Sequence, residues 1–295
     1  MKRAAALAFF FAWAMFGVVC DALCAAPNLA VERIALHQFE DGPLLDSSYE
    51  FLPGETAYFS CRVTGYQTKT LDDDRQNAKL SWRMEVRDPA GALLEEPAQG
   101  RIDAELFPED TNWLAKFLRS FVVPPFAISG EYRVSVWVRD EIAGGDPSGE
   151  VSGELKFRVK GHALDPGDGL AARNVVFLSG ENDAVGARSA VYHPGGTAWV
   201  RMDVSGYKFA GVGDKNRFSI SFGMALENAE GKQLFSQPDA GTQTDESFYP
   251  QRYSTGTLTL NLDKNVPAGS YTLVVTIRDK IGGQSYEVRA PFRVE

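Results

Sequence analysis

The sequence predicts an all-β protein of two tandem antiparallel β-sandwich domains, related by internal duplication and preceded by an N-terminal signal peptide. Three observations predict this fold. An apolar run follows a basic N-terminus, the rest of the chain repeats itself once, and each repeat consists of short stretches in which apolar and polar residues alternate. Alternation with a period of two is typical of strands with one buried face. About seven such strands per repeat, separated by turn residues, indicate a sandwich.

The N-terminal segment has the three parts of a secretory signal peptide. Two of the first three residues are basic, an uncharged apolar run extends from Ala4 to Val19, and small residues follow it. We therefore predict that residues 1–26 direct export to the periplasm, the cell surface or the medium. An uncleaved anchor is an alternative, because the run approaches the length that spans a bilayer. Lipidation of Cys20 or Cys24 is a second alternative, although the residues preceding these cysteines fit it poorly.

The remaining chain contains one internal repeat. Three collinear matches define it, and they are Pro53–Val63 with Pro194–Val204, Gly130–Asp140 with Gly269–Asp279, and Phe157–Val159 with Phe292–Val294. The offset falls from 141 to 139 to 135 residues along the chain. Such a drift is expected when loops change length and strands do not. We predict a first domain at residues 27–160, a Gly-, Pro- and Asp-rich linker at 161–170, and a second domain at 171–295.

Alternating apolar residues place the strands and the two cores. The clearest sets are Leu80, Trp82, Met84 and Val86 with Tyr132, Val134, Val136 and Val138 in the first copy, matched by Ile220, Phe222, Met224 and Leu226 with Tyr271, Leu273, Val275 and Ile277 in the second. We expect these residues to face inward at equivalent positions. One segment breaks the pattern. Thr111–Arg119 is predicted to form a helical turn, capped by Asp110 or Thr111, before the next strand.

Two of these motifs resemble known sandwich families. The Gly-x-Tyr-x-Val strand at Gly130, and its copy at Gly269, resembles the tyrosine-bearing strand of immunoglobulin-like and fibronectin type III domains. Trp82 lies where immunoglobulin-like domains often keep a core tryptophan. The run from Pro53-Gly-Glu-Thr through Asp88-Pro-Ala-Gly to the Gly-x-Tyr strand also resembles the macroglobulin-type domains of bacterial surface proteins. The resemblance implies the fold and the broad role of such modules, and it supplies no binding residue.

Charge and cysteine content exclude several classes of protein. Outside residues 1–26 the chain carries 28 basic and 38 acidic side chains, a balance that argues against a nucleic-acid partner. Cys61 is the only cysteine in that part, so once the signal peptide is cleaved no intramolecular disulfide is possible and the domains depend on packing. Cys61 aligns with Met202 on a predicted core face, which indicates a structural role rather than a nucleophile.

The sequence contains no recognisable catalytic, cofactor or metal motif. His37, His162 and His193 are scattered, without metal-ligand spacing or a partner for a nucleophile. The acidic loops Asp140–Glu150 and Asp72–Asp74 suit solvated turns, and calcium binding remains an alternative for them. We therefore predict no catalytic, cofactor-binding or metal-binding residue, no cofactor, and a protein that is not an enzyme.

Aromatic residues are the best candidates for binding. The candidate partner-binding residues are Trp113, Phe117, Trp137 and Trp199. Trp137 and Trp199 fall on the outward phase of their strands, where aromatic rings can stack on sugars or anchor a protein. Alternatively, the two domains pack through these residues, or the 113–118 segment covers a sheet edge.

The predicted function is an exported non-catalytic binding or scaffolding protein of the bacterial cell envelope, which engages a protein or a glycan and no nucleic acid. An accessory carbohydrate-binding protein is the alternative. A secreted hydrolase with a carboxylate pair is a third, weaker hypothesis.

Overall fold

A computed structural model describes residues 28–143, 149–163, 169–180, 183, 186 and 190–295. The first nine strands are β1 (Ala30–His37), β2 (Glu50–Phe51), β3 (Thr56–Thr64), β4 (Thr68–Thr70), β5 (Gln76–Arg87), β6 (Ala98–Leu106), β7 (Ala115–Val122), β8 (Gly130–Asp140) and β9 (Glu150–Val159). The other nine are β10 (Ala171–Leu178), β11 (Val191–Tyr192), β12 (Thr197–Ser205), β13 (Ala210–Val212), β14 (Lys215–Asn228), β15 (Gln233–Ser247), β16 (Tyr253–Asn261), β17 (Gly269–Asp279) and β18 (Ser285–Val294). The all-β prediction is confirmed. Among the described residues, 3-10 structure occurs at the turn Asp72–Asp74 and at the single residue Gly149.

Each half of the chain forms two sheets of matching topology. In the first half, a three-stranded sheet of order β1-β3-β7 faces a six-stranded sheet of order β2-β9-β8-β5-β4, in which β6 also pairs with β5. In the second half the corresponding orders are β10-β12-β16 and β11-β18-β17-β14-β13, with β15 on β14. The shared strand order supports the duplication that the sequence matches predict. The first nine strands are called the first domain below, and the last nine the second domain.

The sheets are antiparallel with one short exception in each domain. Two-residue strand β2 runs parallel to β9, and β11 runs parallel to β18. The predicted antiparallel sandwiches are confirmed, and these two-residue strands add a short parallel pair at one edge of each large sheet. After β1, the chain crosses from the small sheet to the edge of the large sheet, and it arrives there in the same direction as β9.

The predicted inward faces form two separate cores. Tyr132, Val134 and Val136 are completely buried, and Leu273, Val275 and Ile277 are at most 1% exposed. Register confirms the predicted equivalences, because Tyr132 lies opposite Phe157 while Tyr271 lies opposite Phe292. Similarly, Trp82 lies opposite Val138 while Phe222 lies opposite Ile277.

The segment Thr111–Arg119 is a turn followed by strand β7, so the predicted helical turn is wrong. Ala115, Phe117 and Phe121 are buried and share the inward face of β7, with two-residue periodicity. Strand β7 pairs with β3 along its length, from Ala115 opposite Val63 onward. Pairing with a neighbouring strand and burial on one face outweigh the local helical tendency of this short segment.

Buried carboxylates hold equivalent hairpins in the two domains. Asp140 accepts hydrogen bonds from the backbone N–H groups of Ile142 (2.8 Å) and Gln67 (2.6 Å). Its counterpart Asp279 accepts them from Ile281 (2.9 Å) and Lys208 (2.9 Å). This aspartate therefore ties its hairpin to the neighbouring loop. The rest of the acidic loop after Asp140 lies largely outside the described residues, and the predicted signal peptide lies entirely outside them. Within the described residues, no helix is long and apolar enough to cross a membrane.

Candidate functional site

The first core covers Phe117, one of the four candidate binding residues. Phe117 is 6% exposed, and its ring stacks on that of Trp82 with centroids 4.2 Å apart and planes 2° from parallel. Gly100 makes room for this pair, since a Cβ there would lie 2.5 Å from the Trp82 indole. Of the alternatives that the sequence left open, coverage by its own domain applies to Phe117.

Trp113 lies half-buried at one end of the first sandwich. Its ring meets the Tyr66 ring edge to face at 5.8 Å, and the Tyr66 hydroxyl donates a hydrogen bond to the Trp113 carbonyl (3.3 Å). The side chain also packs against the first core. Trp113 therefore serves mainly to close this end of the domain, and only part of its ring is accessible.

Trp137 points outward from β8, as its strand phase predicts, but a cation covers its ring. The Arg83 guanidinium lies 3.9 Å from the Trp137 centroid, and Arg83 also pairs with Glu85 and Glu150. A ligand that stacks on this face of Trp137 would have to displace Arg83 from an ion-pair network.

Trp199 lies on the outer face of the small sheet of the second domain. On the adjacent edge strand β16 it is directly opposite Thr259, and its neighbour Arg201 is opposite Thr257. The β16 threonines on this face, including Thr255, are exposed. The arrangement is a partly exposed indole beside a row of hydroxyl groups, which can combine stacking with hydrogen bonding. We name Trp199, Thr257 and Thr259 the Trp199 face.

A buried polar cluster between the two domains was not predicted. The Asp88 side chain is completely buried in the turn after β5, where its Oδ1 accepts hydrogen bonds from the backbone N–H groups of Ala90 (2.9 Å) and Ala92 (2.8 Å). Its Oδ2 accepts one from the Tyr249 hydroxyl (3.0 Å) and forms an ion pair with Arg252. Both partners belong to the loop between β15 and β16 of the second domain, so Arg252 of the second domain neutralises a carboxylate of the first.

Tyr249 belongs to the second domain in sequence but packs with the core of the first. It is 7% exposed and is part of the same buried cluster as Tyr132, whose hydroxyl lies 3.4 Å from its own. Burial raises the pKa of both tyrosine hydroxyls, so they remain protonated and able to donate hydrogen bonds. We call the cluster of Asp88, Tyr132, Tyr249 and Arg252 the junction.

Aromatic contacts extend the junction toward the chain connection. The ring of His162 stacks on Tyr253 at 3.8 Å, and Phe126 meets Tyr253 edge to face at 5.9 Å. The linker histidine therefore packs between the domains. A sequence signal for the junction did exist, because buried Asp88 aligns with Asn228 in the second copy, so the two copies differ at this turn.

The other histidines and the cysteine have structural surroundings. His37 is buried, with Nε2 2.7 Å from the Ser60 hydroxyl and Nδ1 2.7 Å from the Gly42 carbonyl. His193 is exposed beside the Glu295 backbone. Burial raises the pKa of the Cys61 thiol to about 12, which leaves it protonated and unreactive at neutral pH. Among the described residues, no group of three or more His, Cys, Asp or Glu side chains is placed to hold a metal ion.

Comparison with known proteins yields structural similarity alone. No family model and no curated protein matches the chain. Among solved structures, the C-terminal domain of the antigen I/II polypeptide BspA of Streptococcus agalactiae is 9% identical, with 89% of this chain and 99% of that chain covered and a TM-score of 0.25. The C-terminal domain of the antigen I/II-family protein AspA of Streptococcus pyogenes is 7% identical, with 91% and 99% covered and a TM-score of 0.27. A family 123 glycoside hydrolase from Clostridium perfringens is 10% identical over 36% of this chain and 22% of its own length, with a TM-score of 0.27. At these scores the similarities carry no functional argument.

Proposed function

We propose that the chain is an exported, non-catalytic binding or scaffolding protein of the bacterial cell envelope, which engages a protein or a glycan through the surfaces of its sandwich domains. The observation that carries the proposal is the junction. A buried ion pair and a shared tyrosine join the domains, so their outer faces have a defined relation to one another. A pair of modules fixed in this way presents its surfaces to a partner with little ordering cost.

The Trp199 face is the surface that we assign to binding. Its indole is partly exposed on a sheet face of the second domain, and exposed threonines lie beside it. Phe117 is buried and the Trp137 ring lies under Arg83, so of these three residues we assign binding to Trp199. Aromatic anchors of this kind commonly contribute 2 kcal/mol or more to a protein interface.

The test is capture of envelope components on immobilised protein comprising residues 27–295. We expect wild-type protein to retain a protein or glycan from a detergent-solubilised envelope extract, and Trp199→Ser to retain at least about tenfold less. Tyr286→Ser is the matched control, because it removes an aromatic residue of β18 that is 39% exposed on the other sheet of the same domain. Equal retention by Trp199→Ser and wild type, at equal melting temperature, would remove the Trp199 face from the proposal.

A carbohydrate ligand is the second candidate, and the threonine row supports it. Sugar rings bind where an aromatic face stacks on their C–H groups and neighbouring protein hydroxyls form hydrogen bonds with the hydroxyl groups of the sugar. Titration calorimetry with soluble fragments of envelope glycan distinguishes this candidate from a protein partner. Chromatography of the same fragments after incubation tests the non-catalytic part of the proposal, which shortened fragments would contradict.

A further inference from the structure

The second domain has, at the opposite end from the junction, the counterpart of the surface through which the first domain contacts it. The Asp88 turn and the Asn228 turn have the same hydrogen bonds, from Ala92 N–H to Asp88 Oδ1 and from Lys232 N–H to Asn228 Oδ1, both 2.8 Å. In the first domain this turn and the loop after β7 contact the second domain. In the second domain, the equivalent elements are the Asn228 turn and the loop after β16, and no other domain of the described chain packs on them. We name residues 226–235 and 260–266 the distal end.

An apolar cavity opens at the distal end. It has a volume of about 320 Å³ and is lined mainly by Leu226, Leu234, Phe235, Leu260, Leu262 and Val266. Leu234 is 49% exposed and Phe235 is 39% exposed. In the first domain, Leu94 follows the equivalent turn and is only 6% exposed. Exposed apolar side chains gathered around a cavity are typical of an interaction surface.

The loop that covers the first domain also has a counterpart, and that counterpart is exposed. Strand register aligns the start of β7 with the start of β16, because Ala115 lies opposite Val63 while Ser254 lies opposite Val204. The loop before β7, residues 107–114, therefore corresponds to the loop that carries Tyr249 and Arg252. Its apolar side chains Phe107 and Leu114 are 55% and 40% exposed. We name residues 107–114 the Phe107 loop.

The two exposed surfaces lack the ion pair of the junction. At the junction, buried Asp88 needs the positive charge of Arg252. At the distal end the equivalent residue is Asn228, which is neutral, and the Phe107 loop contains neither Arg nor Lys. The acid and its base are thus both missing from the pair of surfaces that remains exposed. Had Asp88 been kept at the distal end, docking of the Phe107 loop would have buried an unpaired carboxylate.

We propose that copies of this chain associate head to tail, with the Phe107 loop of one copy seated in the cavity at the distal end of the next. The contact reproduces between chains the docking that the Tyr249 loop makes within the chain. It joins two different surfaces, so it is heterologous, and each added copy leaves one loop and one cavity free. Association therefore continues beyond the dimer as the concentration rises.

Sedimentation velocity of residues 27–295 over about 1 µM to about 1 mM tests the proposal. Wild-type protein is expected to form dimers, trimers and larger species in turn. Phe107→Ser and Phe235→Ser should each weaken association by about thirtyfold or more, as expected for an aromatic anchor. An equimolar mixture of these two variants should form dimers and stop there, because each partner keeps one intact surface. Phe39→Ser is the matched control, since Phe39 is 56% exposed in the loop after β1.

The outcomes separate the possible occupants of the cavity. Concentration-dependent assembly, lost in both variants and restored to dimers in the mixture, supports the proposal. A wild-type protein that stays monomeric at every concentration overturns it. Association lost in Phe235→Ser but kept in Phe107→Ser also overturns it, because the distal end then pairs with itself or with another surface. Association unaffected by either substitution places the contact elsewhere. All of the substituted residues are exposed, so equal melting temperatures are expected.

Discussion

Removal of Arg252 is expected to destabilise the protein more than removal of the acid that it neutralises. Asp88 has no exposed side-chain surface, whereas the Arg252 side chain is 19% exposed. Arg252→Ala leaves a buried carboxylate with the Tyr249 hydroxyl and two backbone N–H groups as its partners. Asp88→Asn removes the charge instead, and Asn228 already demonstrates that an asparagine makes the same turn in the second copy.

The structure sets the magnitudes. Loss of one partner from a buried ion pair costs about 3–5 kcal/mol. We expect about 3 kcal/mol for Arg252→Ala, at the lower end, because opening of the junction lets water reach Asp88. Asp88→Asn should cost about 1–2 kcal/mol, since Arg252 can turn toward solvent and a neutral hydrogen bond remains. The double variant should be about as stable as Asp88→Asn alone, so the two effects should be coupled by about 3 kcal/mol, the full cost of Arg252→Ala.

A double-mutant cycle measured by urea unfolding checks this prediction. Tryptophan fluorescence reports mainly on the first domain, which contains Trp82, Trp113 and Trp137, while the second contains Trp199. A coupling free energy below about 0.5 kcal/mol, the level at which distant mutations are additive, would refute the reasoning. In that case the ion pair would contribute nothing to the stability of the junction.

Two further predictions concern the interior of the domains. Trp82→Ala should lower the free energy of unfolding by about 3 kcal/mol, because it removes a large, partly buried side chain that packs against the first core and stacks on Phe117. Outward-facing Trp137→Ala should cost less than about 1 kcal/mol in the same urea titration. Equal midpoints for the two variants would contradict a structural role for the Trp82 ring. Gly206→Ala should lower the melting temperature far more than Gly231→Ala. Both glycines have positive φ (78° and 77°), but a Cβ at Gly206 would lie 2.0 Å from the Gly169 carbonyl oxygen, whereas a Cβ at Gly231 would meet nothing within 4 Å. Similar losses for the two variants in calorimetry would indicate that the backbone around Gly206 moves aside.

The strands were predictable because their signal is local and duplicated. The alternation in β8 and the matching alternation in β17 each suffice to predict a strand with one buried face. The repeat then fixes which strands are equivalent, and register confirms it for Tyr132 and Tyr271. The two-residue strands β2 and β11 carry no such periodicity. They are defined only by their parallel partners, which are distant in sequence.

The junction was not predictable from periodicity, since its members are far apart along the chain. Asp88 and Arg252 are 164 residues apart, and neither belongs to an alternating run. The local sequence predicts the turn around Asp88. The Asp88 carboxylate needs a basic partner only because the second domain buries it. Long-range burial of this kind appears only once the two copies are placed against each other.

The difference between the copies near β7 has a packing explanation. The 113–118 segment of the first copy is largely apolar, whereas the aligned residues 253–256 of the second copy are mostly small and polar. In the first domain Trp82 stacks on Phe117. In the second domain Phe222 takes the place of Trp82, and Gly256 lies where Phe117 would be, with a Cβ there only 2.8 Å from the Phe222 ring. Each copy therefore fills the same interior space with a different pair of residues, in keeping with the dense packing of protein cores. A large apolar residue found in only one of two repeats, such as Phe117, is therefore explained first as half of a packed pair.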